Sequence, residues 1–306
     1  MRLHLLLAIL VLVCPSAVCL EPADASPEPS GTAPLTVVKH VREVRIDFTV
    51  SDSTGRLVPG LTAGDLRVYD NSSLVPRLID FRAGAELALN LVLLIDTSES
   101  TRERLGQHQQ FARALLEHTF RAGDRLMLAS LDSRLRVVRP FTESAADLAQ
   151  AVSELRVTSL TGLHDAMVEA CERHLAHAPS QGRRVLVVIT DGQDNVSYSR
   201  LDDAVEAALQ HGVTVFAVSF TEGDVDRDAL NRLHMLSSAT GGRAAFVEPS
   251  NLGNALEQIG TNMRTSYSLV FPAAQAASQT GFRRVKIVPA KPRDWKISAR
   301  AGYFLP

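Results

Sequence analysis

The sequence predicts an α/β protein: a doubly wound, mostly parallel sheet with helices on both faces, inserted in a small β-sandwich built from N- and C-terminal strands. Three observations carry this expectation. The near-continuous apolar runs "LNLVLLI" (89–95) and "RRVLVVIT" (183–190) have the texture of parallel strands buried on both faces. Segments with helical spacing alternate with such strands over residues 86–265. On either side of that stretch the pattern reverts to short strands with period-two alternation.

Residues 1–25 read as a signal peptide. Arg2 supplies the positive start, and the apolar core Leu3–Cys14 is shorter than the roughly 20 residues a spanning helix needs. Small residues offer cleavage after Cys19 or after Ala25, so the expected location is secreted or periplasmic, with no transmembrane segment. Residues 26–35 lie in the proline-rich "EPADASPEPSGTAP" and predict a flexible linker. In the N-terminal β segment, 36–85, "VREVRIDFTV" alternates apolar and polar residues and breaks at the "DSTG" turn. "LRVYDNSSLVPRLIDFRAG" repeats strand, turn, strand, for about four short strands in all, too few to bury much apolar surface alone.

The α/β stretch, 86–265, begins with "LNLVLLI" and continues through a helix with Leu105, Phe111, Leu115 and Leu116 on one face. "DRLMLASLD" and "LRVVRPF" predict two strands about a "DSR" turn, and "ESAADLAQAVSEL" a helix with acidic residues at its start. "TGLHDAMVEACERHLAHAP" predicts one further helix, ended by Pro179. After the second apolar run come a helix closed by His211-Gly212, the strand "VTVFAVSF", a helix, the strand "RAAFV" and a last helix near 250–263. In 266–306, "TSYSLVF", "RRVKIVP" and "WKISARAGYF" are strands expected to pair with those of 36–85.

Composition narrows the function. The 306 residues are 45% hydrophobic and 22% charged with a net charge of −2, an ordinary globular mix. The balanced charge argues against a nucleic-acid groove or a polybasic membrane patch. Three cysteines, Cys14, Cys19 and Cys171, make no disulfide scaffold, and processing removes the first two.

"DTSES" directly follows the first buried strand, and in an extended turn Asp96, Ser98 and Ser100 project to one side. "ITDG" places Asp191 at the end of the other fully apolar strand. Ligands of doubly wound sheets bind beyond strand C-termini at the switch point, so the two aspartates are expected to face one crevice. Thr161, on the loop leading into "TGLHDA", can close the ring. Two carboxylates and three hydroxyls, with no Cys or His, suit a hard cation: Mg²⁺ first, alternatively Mn²⁺ or Ca²⁺. With few anionic ligands the ion keeps positive charge and accepts an outside oxygen, most readily a carboxylate.

With these residues in place the chain resembles von Willebrand factor type A domains, over roughly residues 87–265. The family's metal-ion-dependent adhesion site is D-x-S-x-S, a later Thr and a later Asp, matched here by Asp96, Ser98, Ser100, Thr161 and Asp191. The resemblance implies that Ser and Thr oxygens bind the metal directly, the aspartates partly through water, and that a protein partner's Glu or Asp fills the open position. The flanks, "FTVSDSTGRLVPGLTAGDLRVYDN" and "ARAGYF", resemble the exported, acidobacterial-type group of these proteins. The implied function is non-enzymatic binding or adhesion. Leu160 departs from the family, which often has a small residue before the Thr.

Other readings compete. Ser and Asp also cap helices, and a structural scaffold with a vestigial site remains an alternative. A metal-dependent phosphohydrolase of the haloacid-dehalogenase type also puts an Asp after its first strand. That family wants a second Asp two residues on, where this chain has Ser98, and a later Lys, of which 97–190 has none. Cys171, His174 and His177 share one helix and invite a zinc reading, but a lone helix needs a fourth ligand from elsewhere. Asp165 is expected to orient its loop, and Glu99 and Asp194 to be solvated surface.

Overall fold

The computed structural model describes residues 43–83, 87–179, 182–221, 226–264, 266–273 and 281–305; the signal peptide and linker expected over 1–35 lie outside them. Four strands precede the α/β region: β1 (Glu43–Ser51), β2 (Leu66–Asp70), β3 (Ser73–Leu74) and β4 (Asp80–Ala83). The α/β region runs β5 (Leu89–Asp96), α1 (Leu105–Thr119), β6 (Arg125–Leu131), β7 (Leu135–Thr142), α2 (Ala145–Ser153), α3 (Leu163–Glu169) and β8 (Arg183–Ile189). It continues with α4 (Leu201–Gln210), β9 (Val213–Phe220), α5 (Arg227–Ala239), β10 (Arg243–Val247) and α6 (Leu252–Arg264). The last strands are β11 (Tyr267–Pro272), β12 (Gly281–Pro289), β13 (Lys296–Ala299) and β14 (Gly302–Leu305).

The central sheet has the order β10-β9-β8-β5-β6-β7, parallel throughout except for β7, which returns antiparallel along β6. Every residue of β5 is buried, as its unbroken apolar run requires. Alternation along the strands divides the core into two layers. Leu91, Leu93 and Ile95 face α1, α2 and α6, where Phe111, Leu148 and Ile259 pack. Val92 and Leu94 face the opposite side, against Leu163, Ala204 and Leu233 of α3, α4 and α5. Chain order reverses between β5 and β8: β5 leads outward to β6, while β8 leads the other way to β9. The helices that follow β5 and β8 depart to opposite faces, and the gap between them is the switch-point crevice.

The sandwich consists of two four-stranded sheets, β13-β1-β11-β4 and β14-β12-β2-β3, and each mixes strands from both ends of the chain. β1 pairs antiparallel with β11, from Glu43 opposite Pro272 to Phe48 opposite Tyr267. Ile46, Phe48, Val68, Leu269 and Phe271 form its shared core. Inside it Asp70 accepts from Arg283 Nε at 2.8 Å and from the Tyr303 hydroxyl at 3.0 Å, joining β2, β12 and β14. Arg183, at the first position of β8, reaches Asp47 of β1 at 3.2 Å and ties the central sheet to the sandwich.

The stretch expected as one helix over "TGLHDAMVEACERHLAHAP" is not uniform: α3 gives way to a π segment at Ala170–Leu175, where Ala176 N–H donates to the Cys171 carbonyl. The wider turn keeps both Cys171 and Leu175 fully buried against the sheet. Burial pushes the Cys171 thiol up to about 12, so it packs as a small apolar group.

Candidate metal centre

Asp96 is the last residue of β5 and is fully buried. Its Oδ1 accepts from Ser98 N–H at 2.9 Å, the short loop that turns the chain away from the strand. Its Oδ2 accepts from Thr190 Oγ1 at 2.6 Å, across to the residue that follows β8. Both donors are uncharged. Burial therefore dominates and pushes the Asp96 carboxyl up to about 6, with the charge of Asp191 adding to the effect. Ser98 Oγ lies 3.1 Å from Ser100 Oγ; Ser98 is buried and Ser100 faces solvent. The loop is pinned by Thr101, whose hydroxyl donates to the Ser98 carbonyl at 2.9 Å. Glu99 is exposed and paired with Arg102.

Asp191 directly follows Thr190. Its Oδ1 accepts from Gln193 N–H at 3.0 Å, an Asx turn that Gly192 makes possible at φ +82°. A Cβ on Gly192 would also meet the Ala229 carbonyl and Leu233 at 3.0 Å. Gly192 N–H donates to Thr190 Oγ1 at 3.0 Å, so one hydroxyl organises both aspartate-bearing segments.

Thr161 is buried on the loop before α3, and that loop is stitched on three sides. Thr158 N–H donates to the Thr97 carbonyl at 2.6 Å, beside Asp96. Gly162 N–H donates to the Asp132 carbonyl at 2.7 Å, and a Cβ there would lie 2.5 Å from the Ser133 carbonyl, so only glycine fits. Thr161 itself exchanges backbone bonds with the segment after Asp191: its N–H donates to Asn195 Oδ1 at 3.1 Å and its carbonyl accepts from Asn195 and Val196. The structure thus joins Asp96, Ser98 and Ser100 directly, brings Asp191 within electrostatic reach of Asp96, and holds Thr161 through its loop.

Two further acids lock this arrangement. Asp165 accepts from Tyr198 N–H at 3.0 Å and Ser199 N–H at 2.8 Å, the loop-orienting part expected of it. Asp194 differs from the expectation of a solvated surface acid. Its side chain is only 11% exposed, it pairs with His164 Nδ1 at 3.0 Å and it accepts from His164 N–H. These hydrogen bonds hold its carboxyl well below the usual carboxylate range despite burial. The sequence signal was present in "DGQDNVS", where Asp and Asn recur at turn spacing. His108 of α1 gave no such signal. Its ring is buried under the site, 3.3 Å from the Asp96 carbonyl oxygen and 5.4 Å from the Phe220 ring, and burial lowers it to about 4. It is neutral at pH 7.

A buried carboxylate served only by neutral donors, beside paired hydroxyls and a second carboxylate, fits a divalent cation as its missing partner. Among the described residues no group of three His, Cys, Asp or Glu is placed to hold a metal, so a site here depends on hydroxyl oxygens.

The chain belongs to the von Willebrand factor type A domain family, whose model matches residues 90–262. Among solved structures, it is similar to a von Willebrand factor type A protein from Catenulispora acidiphila, at 14% identity and a TM-score of 0.50 over 85% of this chain and 72% of that one. It is similar, again at 14% identity and a TM-score of 0.50, to proximal thread matrix protein 1 from the mussel byssus, described with a zinc-occupied MIDAS motif, over 64% of this chain and 50% of that one. At these identities the likeness is one of fold. No curated protein resembles the chain closely enough in sequence to count as a relative.

Proposed function

We propose that this chain is an exported, non-enzymatic binding protein of the acidobacterial-type group of its family. Asp96, Ser98, Ser100, Thr161 and Asp191 hold a divalent cation through which it captures a Glu or Asp carboxylate of a protein partner. The observation that carries this is Asp96: fully buried, raised to about 6, and served by the uncharged donors of Ser98 and Thr190. A bound cation supplies the charge that this carboxylate lacks, and the remaining positive charge attracts an external acid. The all-oxygen donor set favours Mg²⁺ or Mn²⁺. Zinc in the mussel protein's motif makes Zn²⁺ the competitor to test.

No helix among the described residues is long and apolar enough to cross a membrane. For the chain's own residues the division of labour is simple. Thr190 and His108 hold Asp96, while Asn195, Asp165 and Asp194 hold Thr161 and Asp191 in register. Ser100, at the exposed rim, faces the partner. The test is capture of a purified partner by the immobilised chain. Binding is expected with Mg²⁺, lost in chelator, and absent in Asp191→Ala. Capture that survives both chelator and Asp191→Ala contradicts the reading.

A further inference from the structure

The chain as a whole is nearly neutral, but its charge is divided. Residues 43–83 and 266–306, which build the sandwich, carry 12 basic and 7 acidic side chains, whereas 84–265 carry 17 basic and 24 acidic. Part of the positive excess gathers on the outward face of the sheet β14-β12-β2-β3. Along β12 the inward positions Arg283, Val285 and Ile287 alternate with outward Phe282, Arg284, Lys286 and Val288. Register sets Lys286 beside Tyr69, Val288 beside Arg67 and Phe282 beside Phe304, and Leu74 of β3 flanks Tyr69. Asp70 is the only acid in these four strands, and it points inward to Arg283 and Tyr303. Arg67, Arg284 and Lys286 are exposed and have no salt-bridge partner among the described residues. Beside the β2–β3 turn the face is hollowed, with a volume of about 580 Å³ lined by Tyr69, Asn71, Ser72, Arg284, Lys286 and Val288. Asn71 fixes that wall by accepting from Arg284 N–H at 2.9 Å.

A sheet face that needs only solvation mixes both signs of charge. Here unpaired cations stand among aromatic and aliphatic groups, with Leu74 55% exposed and Phe282 37%. Cations that meet phosphates, beside apolar groups that enter the headgroup layer, are the chemistry of contact with an anionic membrane surface. A nucleic acid fits less well. Phe282 and Phe304 are tilted by 58° rather than laid out as a flat stacking platform, and Leu74 and Val288 offer nothing to a base. The division of charge also orients the chain, because an anionic surface attracts the sandwich and repels the acidic α/β region.

We propose that the outward face of β14-β12-β2-β3 docks on anionic lipid, with Arg67, Arg284 and Lys286 on headgroup phosphates and Tyr69, Leu74 and Phe282 at headgroup depth. The sandwich joins the central sheet at the N-terminal end of β8, through Asp47 and Arg183, whereas Asp96 lies at the C-terminal end of β5. A chain docked by its sandwich therefore leaves the metal centre at the other end of the sheet. The inference does not depend on a cation at that centre.

The experiment is co-sedimentation of the chelator-treated full chain with phosphatidylcholine vesicles, with and without about one third phosphatidylglycerol. Chelator removes any cation bridge between the metal centre and lipid. Binding to the anionic vesicles should be roughly a hundredfold tighter than to the neutral ones, and should fall steeply with salt. Arg284→Gln and Lys286→Gln should each weaken it about fivefold, the effect of one cation at such a surface. Phe282→Ser should weaken it without changing its salt dependence. Arg173→Gln, at an exposed arginine of the α/β region, should leave it unchanged. No preference for anionic vesicles overturns the proposal, as does binding that survives both Arg284→Gln and Lys286→Gln at full strength. Retention on single-stranded DNA or on an acidic peptide, with none on vesicles, also overturns it and reassigns the face to that polymer.

Discussion

Thr190 Oγ1 donates to Asp96 Oδ2 at 2.6 Å, joining the residue that ends β5 to the residue that follows β8. Both are buried, so removing the donor leaves a carboxylate oxygen dry and unpaired. Thr190→Val keeps the shape and should cost about 1–3 kcal/mol in urea unfolding without cation. Thr190→Ser should recover most of that. Equal stability of Thr190→Val and wild type would show that the bond does not organise the site.

Asp165 fastens the segment after Asp191 by accepting from Tyr198 and Ser199 N–H. Asp165→Ala should leave the global fold intact, because the contact is peripheral to both core layers. Amides of 195–199 should exchange faster, and divalent-cation affinity should fall by about 1 kcal/mol for each bond lost. Unchanged exchange and unchanged affinity together would remove Asp165 from its positioning role.

The raised carboxyl of Asp96 sets a pH dependence. Its folded value of about 6 lies above the ordinary 3.8, so the cation-free protein gains stability from this group as pH falls through 6, most fully below 3.8. Cation binding runs the other way, because it needs the carboxylate. Affinity should be level above pH 7 and about tenfold weaker at pH 5. His108, lowered to about 4, opposes the first effect, since folding must keep it neutral and stability from it is lost as pH falls through 6.5 towards 4. Affinity is therefore the cleaner readout, by titration at pH 5, 6, 7 and 8; a flat profile contradicts the assignment.

Away from the site, Asp124 and Arg264 form a buried pair beneath α1 and α6, with side chains 1% and 8% exposed. Asp124 also accepts from Leu89 N–H and Arg121 N–H, each at 2.8 Å, so it sets the entry to β5. Asp124→Ala strands a buried guanidinium and should cost about 3–5 kcal/mol in denaturant unfolding. A loss below 1 kcal/mol would mean that solvent reaches Arg264 with little rearrangement.

Much of this architecture is written in local pattern. The runs 89–95 and 183–190 appear as β5 and β8 because a strand buried on both faces has no polar register to keep. The π segment at Ala170–Leu175 was invisible, since one wider turn leaves helical spacing almost unchanged. At the site, the positions of Asp96, Ser98 and Ser100 follow from one short motif. The parts played by Thr190 and His108 do not, because they depend on which strand neighbours β5 and which helix crosses beneath it. The burial of Asp194 is hidden from local pattern for the same reason: its partner His164 lies 30 residues away in sequence.

The most direct test of the central claim is the binding of Mn²⁺, a spectroscopically visible substitute for Mg²⁺, to the metal-stripped full chain. Free-ion signal should reveal one saturable site in the wild type, and a parallel thermal melt at 100 times the dissociation constant should show about 2.7 kcal/mol of stabilisation. Asp96→Ala and Asp191→Ala should abolish the site, and Mg²⁺ should displace Mn²⁺ from the wild type. Saturable Mn²⁺ binding retained in both variants, or none in the wild type, would contradict a cation held between Asp96 and Asp191.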